Sequence, residues 1–266
     1  MEWTDILIPA AIFAGLGLLF GAALAIASRI FAVKTDERVT KITEALPGAN
    51  CGGCGYSGCA ALAEAIVKGE AAPNSCLPGG EKAATTISEV LGVPVVACKP
   101  MRAQVMCSGK TGVAKRKYQY VGASDCVAAE KMGGGDKCCP NGCIGLGSCV
   151  AACPYEAISV VDGVAVVDPE HCRGCGVCVG QCPKHIIRMI PEEATHWVAC
   201  LSVENGKRTR EQCDVGCISC KLCEKACPAD AIHVNDFVAS INYEACTGCG
   251  ACAEKCPRKI IKFIKR

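Results

Sequence analysis

Cysteines set at short, repeated spacings are the residues of this chain that could do chemistry. Cys172, Cys175, Cys178 and Cys182 run C-x2-C-x2-C-x3-C and are closed by Pro183. The run recurs at Cys217, Cys220, Cys223 and Cys227 before Pro228, and again at Cys246, Cys249, Cys252 and Cys256 before Pro257. Thiolates so spaced hold iron–sulfur cubes: three ligate one [4Fe–4S] cluster, and the fourth reaches the cluster of a paired run. The last two runs therefore pair as Cys217, Cys220 and Cys223 with Cys256, and Cys246, Cys249 and Cys252 with Cys227. Zinc sites usually join two C-x2-C knuckles or recruit His, and three proline-closed runs of four fit that pattern poorly.

A fourth run, Cys139, Cys143, Cys149 and Cys153 before Pro154, is irregular, and an internal repeat explains it. A shift of 74 residues carries Cys143 onto Cys217, Cys149 onto Cys223, Cys153 onto Cys227, Cys172 onto Cys246 and Cys182 onto Cys256. Two tandem two-cluster modules follow. Leu146 stands where the second copy has Cys220, so Cys139 is expected to supply the missing thiolate across a loop containing Gly142, Gly145 and Gly147. The first module's expected ligand sets are then Cys139, Cys143 and Cys149 with Cys182, and Cys172, Cys175 and Cys178 with Cys153.

Nearer the N-terminus, Cys51-Gly-Gly-Cys54-Gly-Tyr-Ser-Gly-Cys59 precedes Cys76 and Pro78-Gly-Gly. Its glycines suit a backbone folded tightly around a cluster. Cys51, Cys54, Cys59 and Cys76 are assigned one further [4Fe–4S] cluster, with zinc as a rival on spacing alone. Five clusters leave Cys98, Cys107, Cys126, Cys138, Cys200 and Cys213 over. Buried free thiols are tolerable small hydrophobes. The alternative is a sixth site between the modules, built from Cys107, Cys126, Cys200 and Cys213, since the shift of 74 also pairs Cys126 with Cys200. His171 and His185 lie beside ligand cysteines and read as surface or supporting groups rather than iron ligands.

The elements that must carry these thiols are short. Ile158–Val167 alternates around Asp162-Gly163, a two-residue hairpin signal, and Ile232–Ile241 matches it around Asn235-Asp236. Segments 60–68 and 81–91 read as helices stopped by Gly69 and Gly92. The fold class is α+β: an N-terminal transmembrane helix, a small helical [4Fe–4S] domain, then two bacterial-type two-cluster ferredoxin modules. The expected divisions are 1–33 for the anchor, 34–97 for the membrane-proximal domain, 98–137 for a linker, and 138–190 and 191–266 for the modules.

The chain has 266 residues, 26 of them cysteine, with 5% aromatics, so its cores must rest on something other than aromatic packing. Its net charge of +2 makes no case for nucleic acid. From Ile6 to Ser28 no residue is charged, long enough to span a bilayer as a helix. Ala25-Ile26-Ala27 imitates a signal-peptidase site, but Glu2 and Asp5 replace the basic leader such a peptide needs. Arg29, Lys34, Arg38 and Lys41 follow the run and place the remainder on the cytoplasmic side of the cell (inner) membrane, single-pass. Thiols there stay reduced, which favours metal ligation over disulfides. Gly17-x3-Gly21 reads equally as a close-packing face or as ordinary membrane-helix composition.

An apolar anchor, the Cys-Gly-Gly-Cys-Gly-Tyr-Ser-Gly-Cys loop and ferredoxin runs, in that order, resemble the B subunit of the Rnf electron-transport complexes in its longer, multi-cluster form. The resemblance implies a membrane complex that oxidises reduced ferredoxin, reduces NAD and moves Na⁺ or H⁺. It also implies other subunits, one of them binding NAD and flavin. This chain carries no NAD or flavin motif of its own: Gly145-Leu-Gly147 lacks the third glycine and the strand–helix setting. Lys115, Arg116 and Lys117 could steer an acidic ferredoxin, whereas the tail Arg258, Lys259, Lys262, Lys265 and Arg266 reads as a solvated or lipid-facing surface. A related complex that reduces an iron–sulfur regulator, and a membrane-tethered zinc scaffold, are the competing readings.

Overall fold

The computed structural model describes residues 3–30, 36–95 and 99–264; Cys98, Lys265 and Arg266 lie outside them. Residues Trp3–Ile30 form one helix, α1. Over residues 13–29 its side chains are almost all exposed, among them Phe13, Leu18 and Leu24, and an added Cβ on Gly17 or Gly21 would meet nothing within 4 Å. Among the described residues no helix is long and apolar enough to cross a membrane.

Three helices follow: α2 (Glu37–Ala45), α3 (Cys59–Lys68) and α4 (Gly80–Leu91). Asp36 caps α2 by accepting from the Arg38 N–H, while Gly69 and Gly92 end α3 and α4 in the left-handed region. Ile42, Leu62, Ile66 and Ile87 close this small core, and Cys76 belongs to it.

The first module holds β1 (Met101–Val105), α5 (Cys126–Lys131), α6 (Ser148–Ala151), β2 (Ile158–Val161), β3 (Val164–Val167), α7 (Val177–Gln181) and β4 (Ile187–Pro191). The second holds β5 (His196–Val198), α8 (Gly206–Gln212), α9 (Leu222–Lys225), β6 (Ile232–Asn235), β7 (Val238–Ile241), α10 (Ala251–Lys255) and β8 (Ile261–Phe263). Each module has two antiparallel two-stranded sheets: β1 with β4 and β2 with β3, then β5 with β8 and β6 with β7. Both cores mix aliphatic side chains with the cysteines themselves.

The repeat extends to backbone conformation. Glu156, Asp162 and His185 have positive φ, as do Asp230, Asp236 and Lys259, each 74 residues on. Two details differ from expectation. Within the expected linker, β1 pairs with β4 from Met101↔Pro191 to Val105↔Ile187, so residues 101–105 pack into the first module, and β4 runs to Pro191, one residue past the expected division at 190/191. The second hairpin turns at Asp236-Phe237, not Asn235-Asp236, because Asn235 pairs with Val238 inside the ladder. The turn thus falls where Asp162-Gly163 lies in copy one, with Phe237 at φ 64°.

Candidate metal centres

The thiols gather in fours. In the helical lobe, burial raises the Cys76 pKa, and the neighbouring charges of Cys59, Cys54 and Cys51 raise it further. Asn50 Oδ1 accepts from the Cys59 N–H at 2.8 Å and folds the ligand loop onto the start of α3. We call this group site 1.

In the first module, burial pushes the Cys149 thiol up to about 12, and its next neighbours are Cys143, Cys126 and Cys182. The same four thiols line one small cavity and form site 2. Site 3 unites Cys153, Cys172, Cys175 and Cys178, which line another cavity; burial lifts Cys178 to about 12, with Cys172, Cys175, Cys149 and Cys153 around it. In the second module Cys217, Cys220, Cys223 and Cys256 share a cavity, site 4. Burial raises the Cys223 pKa to about 11, with Cys217, Cys256 and Cys220 as its charged neighbours. Cys252 has Cys227 and Cys246 beside it, and with Cys249 from the same loop they make site 5.

The remaining group departs from the expected assignments. Cys139 does not join Cys143 and Cys149. Besides being buried, it faces Cys107 and Cys213, and one cavity between the modules is lined by Cys107, Cys139, Cys200 and Cys213. This is site 6. Cys126 correspondingly leaves the inter-module group for site 2, where it stands in for the thiol that Leu146 lacks. The physical reason lies in α5. Asp125 caps its first turn, the Cys126 N–H donates to Ser148 Oγ at 2.7 Å, and Lys184 pairs with Glu130 at 2.6 Å. These contacts bring Cys126 over the start of α6, beside Cys149. Ser148, Lys184 and Glu130 are not thiols, so cysteine spacing gave no signal for them.

The counterpart of Cys200 also changes. Cys107 lies two residues after β1, and Cys200 two residues after β5. The Cys107 sulfur accepts from the Gly109 and Cys143 N–H groups, and the Cys200 sulfur from those of Ser202 and Cys217. The equivalent thiols are therefore Cys107 and Cys200. Site 6 then consists of two like pairs, Cys107 with Cys139 and Cys200 with Cys213. A short antiparallel bridge of Ala114 with Cys213 ties the modules together there, and within the second module Arg258 donates to the Cys213 carbonyl at 2.8 Å.

These groups suit iron–sulfur clusters. Among the described residues no group of three His, Cys, Asp or Glu side chains is set to hold a single metal ion. Backbone N–H groups donate to Cys172 and Cys143 (both 3.5 Å), Cys153 (3.4 Å) and Cys227 (3.2 Å), the bonds that stabilise thiolate and tune a cluster. Buried apo thiols hold their protons, so cluster binding would release them. Cys138 joins no group; its N–H donates to the Lys115 carbonyl. His171 is exposed and bonds Asp168 at 2.8 Å.

The sites form a line. Cys175 of site 3 has Cys51 of site 1 among its neighbours, Cys178 has Cys149 of site 2, Cys143 has Cys107 of site 6, and Cys200 has Cys217 of site 4. Within the second module α9 packs on α10, bringing sites 4 and 5 into one core. The order is therefore 1–3–2–6–4–5. Lys115, Arg116 and Lys117 are exposed beside site 6. Arg116 is paired with Asp136 at 3.3 Å, and Lys117 donates to the Gly133 carbonyl.

Comparison with known proteins agrees with this chemistry. The FeS family, described as a putative Fe-S cluster, matches residues 46–78, and 4Fe-4S dicluster domain families match 141–186, 171–232 and 216–261. The chain is 43% identical over 254 residues to the B subunit of the ion-translocating oxidoreductase complex of Methanosarcina acetivorans, covering 95% of this chain and 96% of that one. It is 44% identical to the B subunit of the Na(+)-translocating ferredoxin:NAD(+) oxidoreductase complex of Acetobacterium woodii, over 96% of this chain and 77% of that one. It is 38% identical to the corresponding subunit of the proton-translocating ferredoxin:NAD(+) oxidoreductase complex of Clostridium ljungdahlii, over 94% and 89%. With identity at this level along nearly its whole length, the chain belongs to the B-subunit family of the ion-translocating Rnf oxidoreductase complexes.

Proposed function

We propose that this chain is the electron-relay subunit of a membrane complex that couples ferredoxin oxidation and NAD reduction to Na⁺ or H⁺ translocation, and that it holds six [4Fe–4S] clusters. The observation that carries this reading is the unbroken line of six four-thiol groups. A bound cluster supplies a one-electron couple without proton or group transfer. The chain's own residues fix the spacing of the groups, shield them from water and aim N–H dipoles at the sulfurs. Site 6 is essential to the reading, since Cys107 and Cys139 with Cys200 and Cys213 make the only junction of the line between the two modules among the described residues.

Helix α1 is the anchor in this proposal, with the thiol-bearing domains on the cytoplasmic side. Its uncharged run and its exposed apolar side chains support that role. The NAD and flavin sites belong to other subunits, for no motif here would hold either.

One preparation tests the reading. The full chain, made anaerobically, should partition with membranes and carry about 24 irons, against about 20 if site 6 is empty. Assembled with its complex, it should support NAD reduction by reduced ferredoxin. A soluble chain with about 20 irons, or a complex that reduces an iron–sulfur regulator but not NAD, contradicts it.

A further inference from the structure

One loop of the second module is bare where its counterpart in the first is covered. In the first module the site 3 loop lies under the site 1 loop. A Cβ on Gly53 would run into the Cys175 carbonyl, so the two ligand loops touch backbone to backbone. Cys175 is buried, and Tyr155 packs beside the contact with Cys51, Cys175, Cys76 and Cys59 around it. Two groups of cysteines thus meet through glycine-flanked loops.

The shift of 74 residues carries Cys175 to Cys249, and Gly174 and Gly176 to Gly248 and Gly250, all four glycines at positive φ. The second loop has the same shape, yet Cys249 is exposed, as is Cys220 of the adjoining site 4; the other described cysteines are buried or partly so. Tyr155 is replaced by Ala229. On the rim, Ala245 and Thr247 are exposed, and Phe263 is 59% exposed, its ring within 3.4 Å of where a Cβ on Gly250 would sit. This loop belongs to site 5, the end of the line farthest from site 1.

We propose that the Cys246–Cys252 loop, rimmed by Ala245, Thr247 and Phe263, is the docking surface for a small iron–sulfur protein, which sets its own ligand loop against Cys249 as the site 1 loop is set against Cys175. The occupant's chemistry follows from the repeat, because the covered copy of this surface receives an iron–sulfur ligand loop. One electron passes from the reduced partner to site 5; no bond breaks and no proton moves. The proposal rests on the ferredoxin-oxidising function above and adds its place of entry. It moves docking away from Lys115, Arg116 and Lys117, two of which already have partners.

The test uses the full chain in detergent with a bacterial two-cluster ferredoxin. Binding of the oxidised ferredoxin is read by interferometry, and electron entry from the reduced form by stopped-flow. The double variant Ala245→Trp with Thr247→Trp should keep its iron and its reduction by titanium(III) citrate while binding ferredoxin at least about tenfold more weakly, a change of roughly 1.4 kcal/mol. Should that variant lose iron, Thr247→Glu carries the test, since it sets a charge against an acidic partner at little steric cost. Iron-replete variants that bind ferredoxin within twofold of the parent overturn the proposal. So does loss of binding confined to Lys115→Glu, Arg116→Glu and Lys117→Glu. A parent chain that neither binds nor oxidises ferredoxin overturns the functional reading itself.

Discussion

Site 2 takes its fourth thiol from Cys126, on a helix outside the repeat, whereas site 4 finds its fourth at Cys220 within its own run. Cys143, Cys149 and Cys182 are otherwise matched one for one by Cys217, Cys223 and Cys256. The first module needs an additional helix, a cap at Asp125 and the Lys184–Glu130 ion pair to complete its site. The second needs none of these and exposes Cys220 instead. The backbone common to the two modules thus places three thiols of this group alike, and the fourth comes from a different element in each.

The sharpest way to break this comparison is to move the ligand. Cys126→Ser should empty site 2 and remove about four irons of roughly 24. Adding Leu146→Cys to that variant places a thiol where Cys220 stands in the second module and should restore them. Iron analysis and the absorbance near 400 nm read both steps. If Cys126→Ser keeps full iron while Cys139→Ser loses it from site 2, the assignment returns to the one expected from spacing.

The grouping in the structure differs from that expectation for an identifiable reason. The three proline-closed runs, the hairpin at Asp162-Gly163 and the helix stops at Gly69 and Gly92 were legible, because each is encoded by neighbouring residues. The partners of Cys126 and Cys139 were not. The segment between Cys107 and Cys139 carries a long insertion relative to that between Cys200 and Cys213, and the chance spacing of Cys126 from Cys200 matched the repeat while Cys107 held the equivalent place. Which thiol belongs to which copy is settled by the pairing of β1 with β4 and β5 with β8, a long-range fact that cysteine spacing does not contain. The basic run 115–117 reads as a patch in sequence, but Arg116 and Lys117 are turned to Asp136 and the Gly133 carbonyl.

A smaller effect is expected at the covered loop. Tyr155 occupies the place of Ala229 and packs where the helical lobe meets the first module. Tyr155→Ala should loosen that contact by about 2 kcal/mol, below the roughly 3–5 kcal/mol for deleting a fully buried ring because the side chain is only partly buried. Hydrogen exchange over residues 51–59 should then rise roughly 30-fold, with iron content unchanged. Tyr155→Phe should behave like the parent, because the buried Tyr155 hydroxyl has no hydrogen-bond partner in the structure, and losing an unpartnered polar group costs little. Equal protection in parent and Ala variant would show that the two lobes are held together elsewhere.

The smallest difference lies in the hairpin turns, Asp162-Gly163 and Asp236-Phe237, both with positive φ at each central residue. A left-handed residue other than glycine carries a strain of roughly 1–2 kcal/mol, so Phe237→Gly relieves strain. It also loses about 0.5–1 kcal/mol to the greater freedom of unfolded glycine, and the contacts of a ring that is half exposed. These terms nearly cancel, and the thermal midpoint for loss of cluster absorbance should move by only a few degrees. The reverse change, Gly163→Phe, has no such offset. It introduces the strain, and its Cβ would come within 3.0 Å of Thr111 Oγ1. The Gly163 carbonyl there accepts from Lys137 Nζ at 2.8 Å and lies against Gly145, whereas its counterpart on Phe237 accepts from the Ser219 hydroxyl. Gly163→Phe should therefore lower the midpoint clearly more than Phe237→Gly moves it. Equal shifts would mean that the turn's φ alone, and not its packing against the module, decides which residue each hairpin tolerates.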